Sequence, residues 1–248
     1  MTFLKPYQSI PIQENGEPLC PLPTDRLRLR MPHPYQVLGA PYGDRSPFYL
    51  RSGVVDRLRQ AQTCLDQEPR PAHLLGESLW LEIFDAYRPV AVQQFMVDHT
   101  AQSLLQEQGL DPHTLTPEQR QQIQEQVHQF WAVPSPDPTL PPPHSTGGAV
   151  DLTIVNGAGI PLDMGSAIDE CSPRSFPDHF ATATIETEQR YHQNRLLLRR
   201  VMTQAGFSNH PQEWWHFSYG DQLWAWLQRQ QQGDNPDQQG ICACYGGI

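Results

Sequence analysis

Positive charge is scarce in this sequence. Its 248 residues hold 17 Lys and Arg against 27 Asp and Glu, a formal net charge of −10. Affinity for phosphate backbones comes mainly from clustered cations, so nucleic acid is excluded as a partner. No apolar run reaches the length of a membrane span, so no membrane partner is expected either. Residues 1–23 mix charged and polar side chains with prolines where a secretion signal needs an unbroken apolar stretch of roughly 7–15 residues. A cytoplasmic location is therefore expected. Cysteine is sparse and irregular: Cys20, Cys64, Cys171, Cys242 and Cys244 are odd in number and lack the spacing of a disulfide framework. Reduced thiols are the expectation. Cys242 and Cys244 could pair or bind metal, but two thiols supply only half of a structural zinc site. No internal repeat is present.

What the sequence does hold is length, aromatic rings and proline. A chain of 248 residues suits one large domain or two small ones. The hydrophobic share of 38% is low, but six Trp, eight Tyr and nine Phe bring large apolar areas where they cluster. Proline, at 25 residues, runs at about double the usual share and concentrates in residues 5–48 and 134–143, which read as extended loops. Val54, Leu58, Ala61 and Leu65 recur at helical spacing, predicting an amphipathic helix over 54–67. In SLWLEIFDAY (78–87), Leu79, Leu81 and Ile83 fall on one side of a strand, with Trp80, Glu82 and Phe84 on the other. That strand leads into Arg88-Pro89 and a helix running to Gly109, so Arg88 sits at a strand-to-helix junction. Thr116 with Gln119 forms a capping-box pattern ahead of the stripe Ile123, Val127 and Phe130. A longer helix is predicted over 186–205, closing at Gly206, and a short one around Trp224, Trp226 and Leu227.

Two segments carry chemistry. PPPHSTGGAVDLTIV (141–155) reads as a loop delivering His144, a glycine turn, and a strand whose better core face is Val150, Leu152 and Ile154. Asp151 then stands on a largely apolar strand, where a carboxylate needs a hydrogen-bonding partner, a cation or a metal. His144 and Asp151 are both good zinc ligands, although spacing alone favours a plain hydrogen-bonded pair over a metal. The second segment, GFSNHPQEWWHFSYGD (206–221), places Glu213 and His216 three apart around two tryptophans. Those two would face opposite sides of a regular strand, so a turn or bulge at Trp214 must separate them if both serve one site. His216 is then a third ligand, and Glu213 stands where it can take a proton from attacking water. A buried aromatic strand end with an incidental histidine is the plainer alternative.

Together FDAYRP (84–89), HSTGGAVDLT (144–153), LDMGSAID (162–169) and EWWHF (213–217) resemble the D-alanyl-D-alanine dipeptidases, the zinc enzymes known from vancomycin resistance. The four motifs stand in the family's order over most of residues 50–220. The resemblance implies one zinc ion per chain, held by His144, Asp151 and His216, with Glu213 as general base. It implies further that Arg88 stabilises the transition state and that Asp169 receives the substrate ammonium. Otherwise Arg88 could be a structural ion pair to Asp85, and Asp169 a loop or cap acid. A serine usual two residues before the first zinc histidine is replaced by Pro142, which bears on substrate contacts.

The fold implied is a single α+β domain: a small antiparallel sheet flanked by helices, with the zinc site in a cleft above the sheet. The catalytic domain is expected over residues 51–230, with residues 1–50 as a proline-rich extension and 231–248 as a tail. The substrate implied is a small D,D-dipeptide. Two rivals stand beside it: a zinc D,D-carboxypeptidase or endopeptidase acting on longer cell-wall peptides, and a metal-bearing binding protein on the same fold, as in the hedgehog signalling domain. The retained Glu213 and Arg88 disfavour the second.

Overall fold

The alternation in residues 78–87 and 149–155 produces two long neighbouring strands at the centre of the protein. The computed structural model describes residues 5–232 and 240–248. Its strands are β1 (Leu19–Pro21), β2 (Arg28–Leu29), β3 (Tyr49–Arg51), β4 (Leu79–Asp85), β5 (Ala149–Asn156), β6 (Ser208–Asn209) and β7 (His216–Ser218). The helices are α1 (Pro34–Val37), α2 (Ser52–Gln67), α3 (Val90–Glu107), α4 (Pro117–Phe130), α5 (Glu186–Gln204) and α6 (Gln222–Gln232). The main sheet runs β2-β4-β5-β7-β6, and β1 pairs with β3 in a separate ribbon. Fold class is α+β as expected, with one correction. The sheet is antiparallel except at its edge, where β2 lies parallel to β4.

One face of the sheet makes the core. Leu79, Leu81, Ile83, Val150, Leu152 and Ile154 are all buried and cluster with Leu58 and Leu65 of α2 and Leu198 and Val201 of α5. The opposite face carries the polar side chains of β5 and β7, beside a second apolar cluster from α3, α4, Tyr35, Tyr42 and Trp131. Thr116 caps α4 as its spacing predicts: its hydroxyl accepts from the Gln119 amide, and the Gln119 side chain accepts from the Thr116 amide.

Packing does not stop at residues 50 and 230. β2 is a strand of the main sheet, and Leu22, Leu27 and Phe48 join its core cluster. At the other end Ala243 bridges to Ile12, and Tyr245 is buried in the same core. These residues of the two flanking segments supply apolar area that covers the sheet. All five cysteines are unpaired. Among the described residues no helix is long and apolar enough to cross a membrane.

Candidate active site

Antiparallel register brings the chemistry together. Asp151 of β5 lies opposite His216 of β7, and Val150 lies opposite Phe217. Opposed residues of an antiparallel pair project from the same face. Val150 and Phe217 enter the core, so Asp151 and His216 project the other way, into a cleft. The chain bends at Trp214 and Trp215 before β7 begins, which meets the geometric requirement for Glu213 to reach the same cleft. His144 arrives from a 3-10 turn, Pro143–Thr146, which ends on Gly147 in a left-handed conformation, φ 73°. Two backbone contacts stitch that turn to the strand-to-helix junction: the Arg88 amide donates to the His144 carbonyl, and the Ser145 hydroxyl donates to the Arg88 carbonyl.

Donor atoms of His144, Asp151 and His216 all lie within 4.8 Å of one another, and all three residues are buried. His144 Nε2 is 3.1 Å from His216 Nδ1 and 3.2 Å from Asp151 Oδ2, and His216 Nδ1 is 3.1 Å from Asp151 Oδ1. Ligands of a tetrahedral zinc at 2.0–2.1 Å stand about 3.3 Å apart, so the donor set fits a small divalent metal with little movement. Each histidine is oriented by its remote nitrogen. His144 Nδ1 is 2.8 Å from the Ala86 carbonyl, and His216 Nε2 is 3.2 Å from the Ser218 hydroxyl. A carbonyl only accepts, so His144 carries a proton on Nδ1, and Nε2 is the atom it turns to the cleft. Burial would raise the Asp151 carboxyl, but His144 and His216 hold it far below the usual range, which keeps it anionic.

Arg88 enters the cleft from the β4–α3 junction. A bulge between Ile83 and Asp85 interrupts the alternation of β4 and sets Asp85 against Asp151. The buried Asp85 accepts from Arg88 Nε at 2.9 Å and Tyr42 Oη at 3.0 Å, and lies 3.1 Å from His33 Nε2. Burial favours its neutral form, yet Arg88 and His33 outweigh that and keep it ionised. Arg88 also donates to Gln93 Oε1 at 2.9 Å, to Tyr35 Oη at 3.3 Å and to Asp151 Oδ2 at 3.4 Å. The ion pair with Asp85 and a place in the cleft are therefore both true of Arg88.

Asp169 and Glu213 complete the acidic lining. Asp169 accepts from Tyr35 Oη at 2.8 Å, so a chain of hydrogen bonds runs from Arg88 through Tyr35 to Asp169. Burial, with Asp151 nearby, pushes the Asp169 carboxyl up to about 7. Glu213 Oε2 is 3.7 Å from His216 Nδ1, and burial, Asp151 and Asp169 raise its pKa well above the usual range. A carboxylate so placed is a stronger base than one in water. All six residues singled out in the sequence line one cleft. His33, Tyr35 and Tyr42 were not singled out. They reach the site from the proline-rich segment, and no local pattern distinguishes them from loop residues.

The sequence has known relatives. Residues 28–234 match the family model of the D-Ala-D-Ala dipeptidases, the M15 peptidases, which are metal-dependent. The D-alanyl-D-alanine dipeptidase of Synechocystis sp. (strain ATCC 27184 / PCC 6803 / Kazusa) is 48% identical over 254 aligned residues, covering 100% of this chain and 98% of that protein. The D-alanyl-D-alanine dipeptidase of Escherichia coli (strain K12) is 35% identical over 159 residues, 64% of each chain. Among solved structures, that of the LdcB LD-carboxypeptidase matches at a TM-score of 0.44 and 15% identity, over 89% of this chain and 78% of that one. With a family model matched across most of its length and a relative matched end to end, the chain belongs to the M15 peptidase family of D-Ala-D-Ala dipeptidases.

Proposed function

We propose that the chain is a zinc-dependent D-alanyl-D-alanine dipeptidase, with one zinc held by His144, Asp151 and His216. The carrying observation is the convergence of these three donors with Glu213, Arg88 and Asp169 in one cleft. Two imidazoles and one carboxylate would supply three protein ligands, the number typical of catalytic zinc sites. When bound, the metal supplies an activated water at neutral pH and a positive charge beside the scissile carbonyl. Glu213 takes the proton from the attacking water and passes it to the leaving amine, a role its raised proton affinity suits. Arg88, held in place by Asp85 and Gln93, faces the developing oxyanion, where a fixed donor typically contributes about 3–4 kcal/mol. Asp169 receives the ammonium of a free dipeptide. Trp131 and Trp215 help line the cleft and limit its hydration.

The test is zinc analysis joined to kcat/KM for D-Ala-D-Ala and its N-acetyl form. One zinc per chain is expected, with the acetylated substrate slower by roughly a hundredfold or more, because it leaves the Asp169 charge unpaired in the closed cleft. Comparable rates on both substrates would overturn the dipeptidase reading in favour of a carboxypeptidase acting on longer peptides. Absence of turnover on either would overturn the peptidase mechanism itself.

A further inference from the structure

A free dipeptide carries two charges, an ammonium at one end and a carboxylate at the other. The cleft offers Asp169 to the first. Among the described residues, Arg88 and Lys5 are the cations that line it. Arg88 is already neutralised, since it pairs with Asp85 at 2.7 Å and with Asp151 at 3.4 Å. Lys5 is different. Among the described residues it makes no ion pair, and its Nζ donates to the His128 carbonyl at 2.7 Å. A lysine ammonium has three protons to give, so this bond positions Nζ while leaving donors for a ligand.

Lys5 is also fixed at its backbone. Its amide donates to Gln8 Oε1, closing the 3-10 turn Pro6–Ser9, and Tyr7 of that turn is buried. Gln222 at the start of α6 donates to the Gln8 and Ile10 carbonyls, which pins the segment to the body of the protein. The surroundings of the two binding groups differ. Lys5 acts electrostatically on Glu213 and His210, whereas Asp169 acts on Glu213, Tyr35 and Cys171. Lys5, Glu213 and Asp169 all line the one cleft.

We infer that Lys5 binds the C-terminal carboxylate of the substrate, so that the cleft reads both ends of a dipeptide, with Asp169 at the ammonium and Lys5 at the carboxylate. This rests on the dipeptidase reading and adds to it a second reason for rejecting longer peptides, since an extended C-terminus brings an amide where a charge belongs. Half-buried, Lys5 has lost part of its hydration, and a carboxylate partner restores the lost stabilisation.

The test compares D-Ala-D-Ala with its C-terminal amide on zinc-loaded wild type, Lys5→Met and Lys5→Arg. Wild type should prefer the acid. Lys5→Met should lose roughly 10- to 100-fold in kcat/KM on the acid, mainly through KM, and its acid-to-amide preference should collapse toward one. Lys5→Arg should retain most of the preference. Calorimetric binding of D-Ala-D-Ala to zinc-loaded Glu213→Ala, with and without Lys5→Met, reads the same contact without turnover, and a tenfold or greater weakening is expected. Zinc content and melting temperature establish that each variant is folded and loaded. If Lys5→Met keeps the wild-type preference, or binds the dipeptide undiminished, the inference fails while the dipeptidase reading stands. If Lys5 merely tunes Glu213, the pH profiles of both substrates shift together and the preference survives, which also overturns it. If wild type cleaves no D,D-dipeptide, both fall.

Discussion

Asp169 shows how a single residue can be placed against its own stability. Its backbone is left-handed, φ 66°, a conformation that Asp and Asn tolerate better than other non-glycine residues. The residue is half-buried, and desolvation with Asp151 nearby pushes its carboxyl pKa up to about 7 from an ordinary 3.8. A raised carboxyl pKa means that the folded protein holds the proton more tightly than the unfolded chain does. Stability from this group is thus fully present below about pH 4 and is lost as pH rises toward 7. Asp169→Asn keeps the left-handed backbone and an acceptor for Tyr35 while removing the charge. In metal-free protein it should raise stability at pH 8 by on the order of 1–3 kcal/mol and leave it unchanged at pH 4. Thermal melts at the two pH values check this, and an equal gain at both would show that burial of charge is not the cause. A dipeptide ammonium would relieve the same penalty, so the destabilising residue is also the one suited to select substrate.

At the scale of elements, the site depends on how closely a turn can approach a strand. Gly148 joins the His144 turn to β5, and a Cβ there would meet the Tyr219 carbonyl at 2.7 Å, a backbone atom that cannot swing away. The same glycine accepts from the Tyr219 amide at 2.9 Å, next to the β5–β7 pairing that sets Asp151 against His216. Gly148→Ala touches no metal donor, yet it should push the turn away from β7 and part His144 from His216. Metal affinity, measured by competition with a chromophoric chelator, should fall roughly tenfold or more, as for changes that disturb the supports of metal ligands. Unchanged affinity would show that the turn has slack. The elements themselves were legible in the sequence wherever a local rule governed them: alternation wrote β4 and β5, and the Thr116–Gln119 pair wrote the start of α4. The bend before His216 was legible as a requirement, because Glu213 and His216 lie three apart. The bulge that aims Asp85 was not, since it is a register shift against β5 with no signature in β4 alone. Nor was β2, two residues long and visible only as a partner of β4.

Across the whole molecule, the segments most distant in sequence meet at the back of the turn that carries His144, and proline content concealed this. Runs rich in proline read as loops because they cannot build ladders, but a loop can still pack. Arg51 shows what that packing does: its Nε donates to the Thr146 carbonyl beside His144, while its Nη atoms reach Glu14 Oε1 and Oε2 at 3.1 Å, and its guanidinium lies 5.3 Å from the Tyr245 ring centroid. Glu17 accepts from the Gly53 amide at 2.7 Å, satisfying a free donor in the first turn of α2, and from Tyr245 Oη at 2.8 Å. Tyr245 is therefore where the start of the chain, the end of the chain and the His144 turn are joined, and it is 1% exposed. Tyr245→Phe keeps the ring and loses only the hydrogen bond to a charged partner, a cost of about 1.5–3 kcal/mol. Tyr245→Ala also opens a cavity in the core and should cost about 3–5 kcal/mol, the range for deleting a large buried aromatic ring. Denaturant titration of both variants measures the difference. Residues 240–248 would be a dispensable tail only if both variants matched wild type. A loss in Tyr245→Ala that exceeds the loss in Tyr245→Phe shows that ring packing, and not the hydroxyl alone, holds these distant segments on the core behind the His144 turn.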